Sequence, residues 1–559
     1  MTNFKRFLIG VLTDTLLCTA IPLAGFSEIS NTTLTASAIP LGGQESSYGE
    51  YLTYAEYSIT EYDSPERGNL LYVAITDCDP SAVSVTIPSE IDGKAVTAIE
   101  DDAFAECTKL TEIEIPDSIV DIGVNALNDT PYFQNLKAQD PYVIINGILV
   151  DSPQRSGDIV VPEGVTNVSA AAFDQSEVTS VVLPDSVTRI GSYAFYYAEN
   201  LTSINMPKNL KSIGRNAFYS CTKLPNLQFP EGLTRIEMGA FESCHGFTEL
   251  VIPEGVTEVS YDAFENCYRV KTLTLPSTLR KIKDQAFSGL GCTSVQIPEG
   301  VTEIGAWAFG NCKELTEISI PSTVTSFGED AFFGTLWLKA QLTETPLLIL
   351  NHILIDGTTC QGDVTIPADV TTIVDSAFSG NETLTGVTIP ETVQEIGIHA
   401  FQNCTRLERV SLPDNMSNIP EDMFHGCTSL KHITIPKSVT VIEDFAFCNC
   451  KSLESITLTN NLRFIEHYAF ENCKSLSAIC FKGTREEWEQ VEIWTANEYL
   501  KTASLYCYTK GDVNVDGTTD ITDLVLLSQF LIDAVELNDL SICNADCNED
   551  TLVDVDDTL

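Results

Sequence analysis

The chain has 559 residues, of which 43% are hydrophobic, and 79 acidic residues against 31 basic ones give it a formal net charge of -48. This balance argues against nucleic-acid binding, because phosphates are recognised by clusters of lysine and arginine that the sequence lacks. The apolar content is sufficient for a continuous core, and the acidity predicts a well-solvated surface that favours cations over anionic partners.

The first 38 residues have the composition of an export signal. Lys5 and Arg6 give a positive start, residues 7–24 form an apolar run interrupted by Asp14, and small residues at 36–38 suit cleavage. No other stretch reaches the roughly 18 apolar residues that span a bilayer. We therefore expect a signal peptide at 1–38 and a secreted mature protein without a membrane span.

From residue 96 the sequence repeats a pattern centred on a phenylalanine that is nearly always preceded by alanine. Successive phenylalanines are 22 or 23 residues apart, except at two places where the spacing is 46 or 69, both multiples of 23. They are Phe104, Phe173, Phe195, Phe218, Phe241, Phe264, Phe287, Phe309, Phe332, Phe378, Phe401, Phe424, Phe447 and Phe470. A fixed period of this length predicts a solenoid, in which each coil buries its apolar side against its neighbours.

Each repeat contains the pattern L-x-x-I-x-I-P, which predicts a short strand ended by a proline that has no amide hydrogen. An Ile-Gly pair predicts a second corner, so each coil is expected to add one strand to a parallel sheet and to stack its phenylalanine inside. The solenoid is predicted at 96–482, between a β-rich N-terminal cap at 39–95 and a C-terminal cap or linker at 483–508. Apolar segments at 141–151 and 346–356 replace coils and predict two β-hairpin insertions.

Half of the 18 cysteines stand three residues after a repeat phenylalanine, at Cys107, Cys221, Cys244, Cys267, Cys312, Cys404, Cys427, Cys450 and Cys473. This phase predicts a ladder of buried, reduced thiols, since free cysteine is among the most buried residue types. Disulfides between adjacent coils are the alternative, because strands about 4.8 Å apart are close to disulfide reach. Metal binding is not expected, because one thiol per coil forms a line rather than a tetrahedron.

Residues typical of catalysis are not grouped in the sequence. The six histidines are scattered over different coils, and neither an H-E-x-x-H motif nor a G-x-S-x-G nucleophile elbow occurs. Cys244 precedes His245, but its phase places it in the buried ladder. We therefore predict that the chain is not an enzyme. Its many acidic residues do not exclude a glycosidase-like pair of catalytic carboxylates, but the sequence singles out no such pair.

Two acidic loops near the C-terminus have the spacing of calcium ligands, and they predict Ca2+ as the cofactor. Positions 1, 3, 5, 7, 9 and 12 of the first loop are Asp512, Asn514, Asp516, Thr518, Asp520 and Asp523. The same positions of a second loop, 34 residues later, are Asp546, Asn548, Asp550, Leu552, Asp554 and Asp557. Gly517 allows the sharp turn at position 6, where the second loop has Thr551. A helix is predicted from about Thr522 to Leu531.

Two parts of the chain resemble known families. The unit A-F-x-x-C-x-x-L-x-x-I-x-I-P-x-x-V-x-x-I-G resembles the leucine-rich repeats of BspA-like, Treponema-type bacterial surface proteins over roughly residues 96–482. Aspartate at loop position 12, and the lack of a helix before the loop, resemble a type I-like dockerin module at 509–559. The given sequence ends two residues after the second loop, so we expect a truncated second dockerin repeat.

These resemblances imply where partners bind. Dockerins bind cohesin modules of scaffolding proteins, and the implied contact residues are Ile521, Thr522, Val555 and Asp556. Leucine-rich repeats turn strand residues toward their concave surface, here Glu112, Glu114, Ser203, Asn205, Asn226, Gln228, Thr272, Thr274, Ser294, Gln296, Glu317, Ser319, Arg409, Ser411, His432, Thr434, Ser455 and Thr457. This polar surface is either a solvated sheet face or a weak, multivalent binding surface.

Together these features predict a mainly β protein, a leucine-rich-repeat solenoid with a parallel sheet followed by a small α-helical calcium-binding dockerin. We expect a secreted, non-catalytic protein that docks onto a cohesin-bearing scaffold, at the cell surface or in a cellulosome-like complex, and displays the solenoid for protein or glycan binding. The alternatives are a free surface adhesin with a calcium-stabilised tail and a dockerin-borne carbohydrate-active enzyme with an unrecognised site.

Overall fold

The computed structural model describes residues 39–40, 46–58, 71–139, 142–152, 156–507, 524–527 and 529. Within these ranges the chain is mainly β, and most strands pair in parallel with the strand one coil away. The predicted class of a mainly β solenoid with parallel pairing is therefore confirmed.

A seven-stranded sheet covers the first coil. Its strands are Ile39–Pro40 (β1), Ser46–Tyr48 (β2), Leu52–Ser58 (β3), Leu71–Cys78 (β4), Glu90–Ile91 (β6), Lys94–Ile99 (β7) and Asp121–Ile122 (β9). Val73 and Val96 on its inner face pack in the same core cluster as Phe104. Because β7 pairs in parallel with β9 of the first coil, this sheet leads directly into the solenoid.

Most coils contribute two strands. The first belongs to the L-x-x-I pattern, and we call these strands the long-strand row. They are Ser84–Thr86 (β5), Glu112–Glu114 (β8), Ser156–Val160 (β12), Glu177–Val182 (β14), Ser203–Ile204 (β16), Glu249–Val251 (β19), Thr272–Thr274 (β21), Ser294–Gln296 (β23), Glu317–Ser319 (β25), Gly362–Thr365 (β29), Leu384–Thr388 (β31), Arg409–Ser411 (β33), His432–Thr434 (β35), Ser455–Thr459 (β37), Ala478–Lys482 (β39) and Ser504–Cys507 (β41).

The predicted Ile-Gly corner is itself a second row of two-residue strands. This short-strand row comprises β9, Asn167–Val168 (β13), Arg189–Ile190 (β15), Ser212–Ile213 (β17), Arg235–Ile236 (β18), Glu258–Val259 (β20), Lys281–Ile282 (β22), Glu303–Ile304 (β24), Ser326–Phe327 (β26), Thr372–Ile373 (β30), Glu395–Ile396 (β32), Asn418–Ile419 (β34), Val441–Ile442 (β36), Phe464–Ile465 (β38) and Glu492–Ile493 (β40). The expectation of one strand per coil is therefore wrong. The backbone at the corner pairs in parallel with that of the preceding coil, as Ser212 does with Arg189.

The corner glycine permits close approach between coils. A Cβ at Gly191 would lie 2.8 Å from the backbone nitrogen of Ala170, so a larger residue would force the coils apart. Left-handed backbone occurs instead two residues before and after the repeat phenylalanine, for example at Asp262 (φ 56°) and Asn266 (φ 58°). Asparagine and aspartate are tolerated there because they enter the left-handed region more readily than other residues with a Cβ.

The repeat phenylalanines form the centre of the core. Neighbouring rings stack almost parallel, with centroids 5.0 Å apart between Phe218 and Phe241 and 5.4 Å between Phe241 and Phe264. One ladder of such rings runs from 173 to 332 and a second from 378 to 470. The predicted stacking of phenylalanines inside the solenoid is confirmed.

The two apolar segments that replace coils form antiparallel hairpins, each preceded by a nine-residue helix that the sequence analysis did not predict. The elements are Pro131–Gln139 (α1), Val143–Ile145 (β10), Ile148–Asp151 (β11), Leu336–Glu344 (α2), Leu348–Leu350 (β27) and Ile353–Asp356 (β28). The second strand of each hairpin joins the short-strand row, as β11 pairs with β13 and β28 with β30. The insertions therefore preserve the register of the solenoid.

Both strand rows continue past residue 482. A short helix, Arg485–Trp488 (α3), connects β39 to β40, and a second one, Glu498–Thr502 (α4), connects β40 to β41. Strands β40 and β41 pair with β38 and β39. The Trp488 ring lies 5.3 Å from that of Phe481. Residues 524–527 and 529 are helical and lie within the helix predicted after the first calcium loop.

Candidate binding surfaces

The long-strand row turns alternate side chains outward, and we call this outward side the strand face. In β8, β23 and β35 the central residue is buried and both flanking residues are exposed. Most residues predicted to line the concave surface occupy such outward positions. Asn205, Asn226 and Gln228 are also exposed, as predicted, but they lie outside the strands.

Hydrogen bonds between coils order the polar side chains of the strand face. Arg409 donates from Nη2 to both carboxylate oxygens of Asp363 at 2.8 Å, and Thr385 donates to the same carboxylate at 2.7 Å. His432 Nδ1 lies 2.7 Å from the Ser455 hydroxyl oxygen. Exposed pairs of this kind contribute little to stability because water and salt screen them, but they hold the side chains in a defined arrangement.

Pro225 interrupts the strand face. In the preceding coil Thr202 occupies the position of Pro225, and its backbone amide donates to the Thr179 carbonyl at 2.9 Å. Because proline has no amide hydrogen, Pro225 cannot form the corresponding hydrogen bond. The segment after the proline forms no strand, and β16 and β19 belong to separate sheets. The Asn226 side chain instead accepts the Thr248 amide at 2.7 Å.

A cavity of about 520 Å³ opens at this interruption, and we call it the notch. Its lining includes apolar Leu227, Phe229, Val251 and Pro253 and acidic Glu231 and Glu254. The Phe229 ring lies 5.5 Å from that of Phe241, so the floor of the notch rests on the phenylalanine ladder. The cavity therefore combines a rigid apolar floor with an acidic border.

Four tyrosines beside the phenylalanine ladder form a partly exposed group, the tyrosine cluster, that was not predicted from the sequence. The Tyr196 ring centroid lies 4.9 Å from that of Tyr219, 4.6 Å from Tyr197 and 5.3 Å from Tyr193. Tyr197 is 40% exposed. Tyrosine is enriched at protein interfaces because an apolar ring carries a polar tip. The signal was the segment Y-A-F-Y-Y, where aromatic residues flank the repeat phenylalanine.

Partly buried carboxylates follow the tyrosine cluster on the next coils. Burial raises the pKa of Glu242 to about 8, that of Glu265 to about 7 and that of Asp262 to about 6. Repulsion by neighbouring carboxylates adds to each shift, and for Asp262 the neighbour is Asp284. In the part of the chain that the structure describes, no group of three or more His, Cys, Asp or Glu residues is arranged to hold a metal ion. The raised pKa values mean that Glu242 and Glu265 hold protons over part of the neutral pH range.

A second polar cluster brings together histidines that are separated in sequence. His425 Nδ1 lies 2.6 Å from Asp422 Oδ1, and His399 Nε2 lies 3.3 Å from Asp422 Oδ2. Asn449 Nδ2 is 3.1 Å from His425 Nε2 and 3.4 Å from the sulfur of Cys448. Cysteine nucleophiles need a lowered pKa, but burial raises that of Cys448 to about 12. The cluster therefore contributes to packing between coils and lacks an activated thiol.

The ladder cysteines are not joined in disulfides, and all of them are buried. The ladder thiols other than Cys107 donate to the phenylalanine carbonyl of the preceding coil, as Cys244 Sγ does to Phe218 at 3.1 Å and Cys267 Sγ to Phe241 at 3.2 Å. Cys107 donates to the Cys78 carbonyl at 3.3 Å. Burial raises the pKa of Cys267 to about 12, so the thiol stays protonated. The predicted ladder of buried thiols is confirmed. The hydrogen bond to the phenylalanine carbonyl explains why these cysteines stand three residues after the repeat phenylalanine.

The predicted calcium ligands within 512–523 and 546–557, and the predicted cohesin contacts among them, lie outside the described residues. Calcium binding and docking therefore stay predictions from sequence. Within the described ranges, no helix combines the length and apolarity needed to cross a bilayer.

The two strand rows, the stacked core and the outward surfaces define a leucine-rich-repeat solenoid. The family model described as "BspA type Leucine rich repeat region (6 copies)" matches residues 77–197, 151–271, 234–351 and 356–484, which together exceed half of the chain. The chain therefore belongs to the BspA-type leucine-rich-repeat family. Proteins of this family are typically extracellular and non-catalytic.

Several solved structures are similar to the chain. A leucine-rich cell surface protein from Faecalibacterium prausnitzii is 25% identical, with 80% of this chain and 97% of that chain covered and a TM-score of 0.38. A leucine-rich repeat protein from Bacteroides ovatus is also 25% identical, with 66% and 96% covered and a TM-score of 0.41. The pneumococcal vaccine antigen PcpA is 16% identical, with 85% and 99% covered and a TM-score of 0.35. No curated protein matches the chain.

Proposed function

We propose that this protein is an extracellular binding protein that engages a partner protein through its strand face. The observation that supports this proposal is the row of outward, polar side chains on β8, β23 and β35, each strand anchored by a buried central residue. Side chains already held by hydrogen bonds lose less entropy when a partner binds. Extended surfaces of repeat proteins are suited to such contacts.

We further propose that the C-terminal segment attaches the solenoid to a cohesin-bearing scaffold at the cell surface or in a cellulosome-like complex. The support is the calcium-ligand spacing of Asp512, Asn514, Asp516 and Asp523 and its repetition 34 residues later. In this proposal calcium orders the helix after the first loop, and that helix engages cohesin. The solenoid is then the displayed cargo.

The strand face is tested by photo-crosslinking on producing cells. A photoreactive amino acid at Gln296, on the strand face, should crosslink a partner protein. The same amino acid at Thr302, an exposed residue beside the short-strand row, should not. Equal yields from both sites, or a glycan as the main crosslinked species at Gln296, would contradict protein binding by the strand face.

Attachment is tested by calcium-dependent capture. The immobilised chain should retain a cohesin-bearing scaffold from a surface extract and release it to a chelator, and an Asp512→Ala plus Asp523→Ala variant should retain none. An Asp117→Ala plus Asp414→Ala variant is the matched control, because both residues are exposed on the solenoid. Failure to recover any partner that the chelator releases would contradict calcium-dependent attachment and would favour a free adhesin.

A further inference from the structure

The notch is an apolar recess within a strand face that is otherwise polar. Pro225 removes an amide donor from the long-strand row, and the backbone after it leaves the sheet. Leu227 and Phe229 are only half-buried and line the resulting cavity. Val251, on the next coil, also lines it and is 44% exposed.

Acidic side chains border this apolar recess. Glu231 and Glu254 are both exposed and both line the notch. The Ser277 amide and hydroxyl donate to Glu254 at 2.9 and 3.0 Å, which holds the carboxylate in place and lowers its pKa. The Ser277 bonds take one of the two acceptor positions on each oxygen, and Thr278 also lowers the pKa of this carboxyl.

An arginine side chain matches both parts of this cavity. Its aliphatic stem packs on apolar walls while its guanidinium group forms charge-assisted hydrogen bonds with carboxylates. The planar guanidinium also stacks on an aromatic ring, which Phe229 supplies, whereas a lysine offers a point charge without the plane. The volume of about 520 Å³ accommodates an arginine with an apolar neighbour. The net charge of -48 favours encounter with a basic partner.

We propose that the notch binds an arginine of a partner protein, presented beside an aliphatic residue in an exposed segment. This inference rests on the proposed protein-binding function of the strand face and gives that function a specific contact. In the complex, the arginine stem covers Leu227 and Val251, and the guanidinium group pairs with Glu231 and Glu254.

The test uses two fluorescein-labelled peptides and the full chain. One peptide is Gly-Leu-Arg-Leu-Gly, and the other has citrulline, a neutral residue of nearly the same shape, in place of arginine. Fluorescence anisotropy should show at least tenfold weaker binding of the citrulline peptide, because a hydrogen bond to a charged group is worth about a factor of ten. A Glu231→Gln plus Glu254→Gln variant should bind the arginine peptide at least tenfold more weakly than the native chain.

The matched control is Glu299→Gln. Glu299 is exposed at the same repeat position as Glu254, two coils further along, and should leave the affinity unchanged. Equal binding of the two peptides, or full affinity in the double variant, would overturn the proposal. A loss in Glu299→Gln as large as in the double variant would also overturn it, since general acidity would then attract the peptide.

Crosslinking from Gln296 separates this inference from the proposed function. If Gln296 captures a partner protein and the arginine peptide does not bind, the strand face binds protein but the assignment of the notch is wrong. If the peptide binds as expected and Gln296 captures nothing, the notch is confirmed as an arginine site and the wider strand-face proposal fails.

Discussion

Cys244 lies in the middle of the thiol ladder and offers a direct test of what that ladder contributes. It is fully buried, and its sulfur donates to the Phe218 carbonyl at 3.1 Å. The Phe218 carbonyl also accepts a hydrogen bond from the Cys221 amide at 3.1 Å. Removing the Cys244 thiol therefore takes away its hydrogen bond to this carbonyl and leaves the one from the Cys221 amide. Cys244→Ala should lose about 1 kcal/mol for the hydrogen bond and about 1 kcal/mol for the vacated volume.

Cys244→Ser separates the hydrogen bond from the packing. A serine hydroxyl keeps the donor but is smaller than a thiol, so this variant should lose only about 1 kcal/mol, mainly from packing. If the thiol is only an apolar filler, the order reverses, because a buried hydroxyl is harder to desolvate than a methyl group. The prediction is therefore that the alanine variant is the less stable of the two.

Native-state hydrogen exchange is the suitable assay, because long repeat arrays do not always unfold in a single transition. The amides of the coils that contain Phe218 and Cys244 should exchange faster in the alanine variant than in the serine variant. Cys507→Ala is the control, since that thiol is only partly buried and should change exchange little. An alanine variant as well protected as the serine variant would refute the reasoning.

Two further predictions concern the carboxylates and the phenylalanine ladder. Because burial raises the pKa of Glu242 to about 8, its contribution to stability is present below the unfolded value of 4.5 and is lost as the pH rises through about 8. The melting temperature should therefore fall between pH 5 and pH 9, and Glu242→Gln should reduce that fall; equal falls in both proteins would contradict this. Phe264→Ala removes a fully buried ring and should cost about 3–5 kcal/mol. Hydrogen exchange should locate the loss in adjacent coils, and uniform loss over the chain would contradict nearest-neighbour stabilisation.

The features that sequence predicted well are those that depend on contacts between neighbouring coils. The 22- to 23-residue spacing places each phenylalanine against the next, and the rings of Phe218 and Phe241 stack 5.0 Å apart as expected. The phase of the cysteines likewise predicted their burial. Such positions are strongly specified, because one misplaced side chain disturbs the packing of two coils.

The second strand row was missed because its strands have little local signal. Two residues such as Arg189–Ile190 are too short for a period-two pattern, and their pairing exists only once the coils are stacked. The helices were missed for another reason. Thr335 caps α2 by accepting the Leu338 amide, and a threonine before an apolar run is a helix-start signal that the hairpin pattern obscured.

The candidate surfaces share a physical property that neither period nor composition reports. At outward positions the core does not dictate the residue type. A residue that departs from the repeat pattern at such a position is therefore not there because folding requires it. Pro225 removes a hydrogen bond from the long-strand row, and Tyr197 holds an aromatic residue at a left-handed position with φ 54°. Both choices cost stability locally, and local conflict with the fold is expected where a surface serves binding. The coils on which the tyrosine cluster and the notch lie are therefore where interaction experiments should begin.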